Sequence, residues 1–224
     1  MISVEACLLE QFRERAFERR FEAFVQDYDL GSKPALVFQA MPLESLAIDI
    51  KNHGVLNAIQ EGAGAISESG WWYGFKAGGR PVLVFDGLAS SSKTSEHGWA
   101  SEVHVDGHVV AGLWTFPDAG ESGQTSRPAV ASFFTHAFRD FGFFTRSVHE
   151  ATPYSGSVAL SCTMLQANEL PLIASRGNTI SPAVKRPVLR WPLQIASGLA
   201  DIDAVCGAMA VRFMRAYGKN AELW

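Results

Sequence analysis

Two strand-like runs, Trp99 to Val105 and His108 to Phe116, are joined by Asp106-Gly107. A two-residue Asp-Gly link between such runs marks a β-hairpin, because both turn positions need a positive φ. A hairpin commits its neighbours to antiparallel pairing, so this dipeptide constrains the fold more than any other feature. It also sets a register, with Val105 opposite His108, His104 opposite Val109 and Glu102 opposite Ala111. Side chains alternate along a strand. In that register His104 shares a face with Glu102 and Val109, while His108 lies on the other face with Val103, Val105 and Val110.

Other segments extend this pattern. Trp71 to Phe75 and Pro81 to Phe85 read as two strands around the turn chemistry of Ala77 to Arg80, a second hairpin. Ala35 to Ala40 is a short apolar strand stopped by Pro42. Ser157 to Leu165 is another strand, and Pro187 to Ile195 is one that Pro192 demotes to an edge or a bulge. Helical spacing appears in Leu8 to Gln26, with Phe12, Phe17, Phe21 and Phe24 on one face, and Gly31 closing it. Leu43 to Asn57 reads as a short helix or helical turn. A third helix opens at Arg127-Pro128 behind a Ser126 cap and buries Val130, Phe133, Phe134, Ala137, Phe138 and Phe141. The last is capped by Asp201, ends at Gly218 and puts Val205, Ala208, Met209, Arg212, Phe213 and Ala216 on one face. Hairpins dominate, which predicts an α+β fold: a largely antiparallel sheet packed by two or three helices, with an N-terminal amphipathic helix. Residues 1–32 form a helix or linker, and 33–224 a single domain.

The 224 residues include 47% apolar and only 19% charged side chains, enough for a sizeable core and unlike a disordered chain. The net charge of -4 lacks the electrostatic footprint of a nucleic-acid binder. The dense basic stretch Arg13 to Arg20 is interleaved with Glu14 and Glu18, as in a charged helix face. Cys7, Cys162 and Cys206 fall in apolar runs without metal-ligand spacing, which predicts reduced thiols in a cytoplasmic protein. No basic leader precedes an apolar run, and no apolar stretch is long enough to span a membrane.

Chemistry-bearing motifs are sparse. Gly87 to Thr94 approximates a phosphate-binding loop, but Ser92 stands where Gly must precede the Lys, and a strand rather than a helix follows. Ser90 to Lys93 fits a bare SxxK pattern without its companion motifs. Cys162 with His149 is a conceivable nucleophile pair that nothing orients. These readings leave no catalytic, cofactor-binding or metal residues to assign. Trp71 and Trp72, adjacent in a strand, point to opposite faces; either one is core and the other is exposed or lines a groove as a contact residue, or helices cover both.

Arg13 to Phe24, the run Pro34 to Leu43, the strand pair Glu102 to Val110 and the ending Ala216 to Trp224 occur in a familiar order. This order resembles the C-terminal region of prokaryotic Alba-like, Schlafen-related DNA-binding or ATP-binding proteins. The resemblance covers nearly the whole chain by pattern. It excludes the N-terminal domain that carries the family's nucleotide or nucleic-acid chemistry, so it transfers no functional residue.

Three functional expectations result. The leading one is a non-catalytic accessory domain for protein interaction, oligomerisation or ligand sensing, with a protein partner or homo-oligomer and no cofactor. Trp71, Trp72, Arg13 and Arg20 are its candidate contact residues. The second is an enzyme, a hydrolase or transferase, with its site at the Ser90 to His97 loop and Ser90, Lys93 and His97 as candidates. The third is a nucleic-acid module acting through the Arg13 to Arg20 helix, with weak binding expected.

Overall fold

A computed structural model describes residues 4–61, 81–92, 98–116, 128–173, 180–181 and 184–218; the side chains of 4–13 and 61 are outside that description. The chain is α+β. Its first helix, α1 (Val4–Asp27), leads into β1 (Ala35–Pro42) and then α2 (His53–Glu61). Four short strands follow: β2 (Val82–Val84), β3 (Gly87–Ser91), β4 (Trp99–His104) and β5 (Val109–Leu113). Next come β6 (Ala129–Val130), α3 (Ala131–Glu150), β7 (Val158–Leu165) and β8 (Leu172–Ile173). The described chain finishes with β9 (Leu189–Arg190), β10 (Gln194–Ala196) and α4 (Ile202–Ala216).

Eight strands form one sheet in the order β10-β7-β1-β5-β4-β3-β2, with β9 also on β7, and every pairing is antiparallel. Residues of β1, β4 and β5 are buried on both faces. This double coverage explains why Ala35 to Ala40 is apolar at every position but Gln39 rather than alternating. One face carries α2, α3 and α4. There Phe38 stacks on Phe141 at 4.9 Å and meets the edge of Phe138 at 4.9 Å. The other face carries α1, whose Phe21 and Phe24 join Leu30 over Ala35, Val37, Ala100, Val110 and Leu165. Gly112 allows that approach, since a Cβ there would stand 2.6 Å from Phe24 Cε1.

The β4–β5 hairpin differs from the expected one by a residue. Val103 pairs with Val109, and the His104 N–H donates to the His108 carbonyl, so the loop is Val105-Asp106-Gly107. Only Gly107 has a positive φ, +79°. Asp106 keeps its own backbone out of that region because its carboxylate accepts the His108 N–H at 3.0 Å. The outcome is a three-residue turn ending in a left-handed glycine. One slip reverses the facing of the histidines: His104 and His108 lie side by side on the α1 face, with ring centroids 6.4 Å apart.

Other boundaries also move. Val82–Val84 pairs with Gly87–Ser91 through Phe85-Asp86, so 87–91 is a strand instead of a loop; Trp71 to Phe75 lies outside the described residues. Asp29, at φ +49°, makes the left-handed turn after α1 that Gly31 was expected to make. Only 53–61 of the second region is helical. The third helix starts at Ala131, because Ala129 and Val130 pair in parallel with β8 first. Pro192 splits the expected 187–195 strand into β9 and β10. Asp201 precedes α4 without a capping side-chain bond, because it closes a 3₁₀ turn. The buried face of α4 is Ile202, Cys206, Met209, Ala210, Phe213 and Met214, which leaves Ala208, Arg212 and Ala216 exposed.

Candidate functional site

Polar residues gather where α1 crosses the sheet. By register, Ser161, Gln39, Val110 and Glu102 form one row across β7, β1, β5 and β4. Glu102 and the histidines of the hairpin end are buried there beneath a helix. Burying such groups is costly unless each is paired, and most of them are.

An ionic chain runs through this layer. The Arg20 guanidinium donates to both Asp86 oxygens, at 2.9 and 2.6 Å, and lies 3.6 Å from Asp106. Asp86 also contacts His104 Nδ1 at 2.9 Å, and His104 Nε2 contacts Glu102 at 3.1 Å. The other Glu102 oxygen accepts the Tyr28 hydroxyl at 3.1 Å. Burial pushes the Asp86 carboxyl up, but bonds from Arg20 and His104 outweigh it and hold it below the usual range. Burial and the adjacent Glu102 push the Tyr28 phenol far up. Asp86 sits at φ +56°, a left-handed position that Asp tolerates better than most residues. Both nitrogens of His104 are taken by carboxylates in a linear chain, so these groups do not converge on a common point.

His108 belongs to a second network. Gln39 Nε2 donates to the Phe17 carbonyl at 2.9 Å and faces His108 Nε2 at 3.3 Å. An amide nitrogen only donates, so His108 Nε2 is the acceptor and the ring proton sits on Nδ1, which is buried without a partner. Burial, with His104 and Arg20 adding to it, pushes the His108 pKa well down and keeps the ring neutral. The same bonds orient Gln39. Both amide hydrogens are spent on protein acceptors, which leaves Oε1 as the remaining hydrogen-bonding group of Gln39.

Beside Gln39 is a groove of about 480 Å³ between α1 and the β7 edge. Its floor is Gln39, Ser161 and Thr163. Phe17, Phe21, Glu14 and Glu18 of α1 form one wall, and Arg190 to Leu193 the other. Arg190 donates to both Glu18 oxygens, at 2.8 and 3.3 Å, and lies over the Phe21 ring at 5.2 Å. Aromatic walls around a hydrogen-bonding floor are the usual build of a small-molecule site.

The residues singled out from sequence fare differently. Arg20 is held by Asp86 rather than offered to a phosphate. Ser90 is buried inside β3, opposite Ser101 and on the α2/α3 face, so it opens no loop site and lies across the sheet from His104. Trp71, Trp72, Lys93 and His97 lie outside the described residues, as does the side chain of Arg13. Cys162 and His149 are not partners. Cys162 sits opposite Phe38 in mid-sheet, its thiol pushed up by burial. His149 Nε2 donates to the Gly107 carbonyl at 3.0 Å, at the hairpin end. Among the described residues, Val82, Leu83 and Phe85 form an exposed apolar hairpin at the β2 end of the sheet.

Sequence reasoning missed Asp86, Tyr28, Gln39, Ser161 and Thr163 as site residues. Asp86-Gly87 repeats the Asp-Gly signal of the β4–β5 turn and was available as a turn marker. Gln39, the only polar side chain of Ala35 to Ala40, was the signal for the groove floor. Comparisons with family models, with curated proteins and with solved structures return no match.

Proposed function

We propose that this protein is a non-catalytic ligand-sensing domain whose site is the groove between α1 and the sheet. The observation that carries the reading is the groove itself: about 480 Å³, with aromatic walls and Gln39, Ser161 and Thr163 across its floor. Supporting the non-catalytic part, the nucleophile candidates Ser90 and Cys162 are buried away from the groove, and His104 has both nitrogens engaged. Because one wall is α1, a bound molecule would bear directly on how that helix sits, and that is what sensing requires. The resemblance to the C-terminal region of Alba-like, Schlafen-related proteins agrees with an accessory role beside a partner.

The test is protein-detected NMR with small aromatic alcohols, amides and amines at millimolar concentration. Shifts confined to the Trp191 indole, the Gln39 side-chain amide and the Phe17 backbone are expected. Ser161→Trp, which fills the floor, should abolish them while leaving the remaining spectrum dispersed. Absence of groove shifts with every compound, or shifts that survive in Ser161→Trp, would remove the groove from consideration.

A further inference from the structure

We propose that the ligand class of this groove is a small organic cation: a protonated amine carried on a flat apolar body. The inference rests on the groove being a ligand site and adds its chemistry. The charges of the lining come first. Among the described residues, Glu14, Glu18 and Arg190 are its ionisable side chains. Arg190 is bound to Glu18 through both carboxylate oxygens, so that pair is neutral as a unit. Glu14 is then a carboxylate with no opposite charge among the described residues of the lining. An anionic ligand would meet this charge unfavourably; a cationic one would balance it.

The aromatic wall adds a second preference. Phe17 and Phe21 lie one helical turn apart, flanked by Glu14 and Glu18 at the same spacing. Ring faces carry negative potential and attract cations. Arg190 over Phe21 shows that this wall already accommodates one.

The floor supplies an independent third observation. Gln39 is only 4% exposed, and both its amide hydrogens are used, on the Phe17 carbonyl and on His108. Gln39 lines the groove, and with its donors used its carbonyl oxygen is the group left to meet a ligand, as an acceptor. An ammonium group offers three donors and no acceptor, so it matches carboxylate, ring and carbonyl together.

The experiment compares three probes of one shape by calorimetry at low salt: phenethylamine, phenethyl alcohol and hydrocinnamate. Phenethylamine should bind about tenfold more tightly than the alcohol, and hydrocinnamate least. Glu14 is exposed and outside the core, so Glu14→Gln will fold. It should weaken the amine about threefold to fivefold, as for an exposed ion pair, and leave the alcohol unchanged. Glu14→Lys should bring hydrocinnamate above the amine. If the wild type binds amine and alcohol equally, or if Glu14→Gln changes neither, the cation assignment is wrong and the groove reading survives. If none of the three binds, the groove reading itself fails.

Discussion

Gly107 does three things at once. It takes the left-handed position of the β4–β5 turn, its carbonyl anchors His149, and it leaves room for Pro42 and Leu46. A Cβ there would stand 2.7 Å from Pro42 Cγ and 2.8 Å from Leu46 Cδ2. Gly107→Val should therefore cost about 3 kcal/mol, combining backbone strain with overpacking. For a chain of this length that is a fall of about 10 °C in Tm. Gly31→Val is the control: its φ is not positive and a Cβ would meet nothing within 4 Å, so Tm should barely move. Equal melting of both variants and the wild type would refute the turn. The turn also shows why a correct motif misled. Asp-Gly was read as two left-handed residues, but the Asp106 carboxylate can instead catch the His108 N–H. Sequence does not say which of the two it will do, and the choice moves the side chains of one strand to the other face relative to its partner.

Among elements, α1 differs from the other helices in how it is held. α3 and α4 bury continuous aromatic and aliphatic faces. α1, with Tyr28 just after its end, combines an apolar strip, Phe17, Phe21 and Phe24, with polar ties to the β2–β3 turn, β4 and β9 through Arg20, Tyr28 and Glu18. The central tie can be isolated by a double-mutant cycle of Arg20→Met and Asp86→Asn, the Asn keeping the left-handed tolerance. A coupling of about 1 kcal/mol in urea unfolding is expected, since the pair is bidentate but partly exposed, and it should shrink in 1 M salt. A coupling near zero would mean the apolar strip alone seats the helix. Periodicity made α1 and α3 readable, because each buries one long regular face, and an apolar run made β1 and β7 readable, because both faces of each are covered. The short strands were less so. β2, β3, β9 and β10 have too few residues to show a period, and their partners are set by tertiary contacts such as Asp86 with Arg20. The groove was invisible for the same reason: its floor comes from β1 and β7 and its walls from α1 and β9–β10.

For the molecule as a whole, buried imidazoles set the acid limit of stability. Burial pushes the pKa values of both His108 and His149 down, so the folded chain keeps them neutral while the unfolded chain protonates them below about pH 6.5. The unfolded state then binds more protons, and stability falls as pH falls. In urea titrations the unfolding free energy should decline as pH falls below about 6.5, with the half-buried His136, also pushed down, adding in the same direction. Asp86, held below the usual carboxylate range, adds a further loss only below about pH 4. Replacing His108 by Phe should make this decline shallower, and an unchanged decline would mean that His108 takes up its proton in the folded state. The ties of α1 have one more consequence, this time for assembly. Its partners Asp86, Glu102 and Arg190 lie 66, 74 and 172 residues further along the chain. A helix cannot dock on strands that do not yet exist, so order of assembly is written into the connectivity. A chain that had closed its sheet before capturing α1 would show the bare strip of Val37, Ala100 and Val110 to its neighbours, and the shortest route to covering it would be another chain's α1.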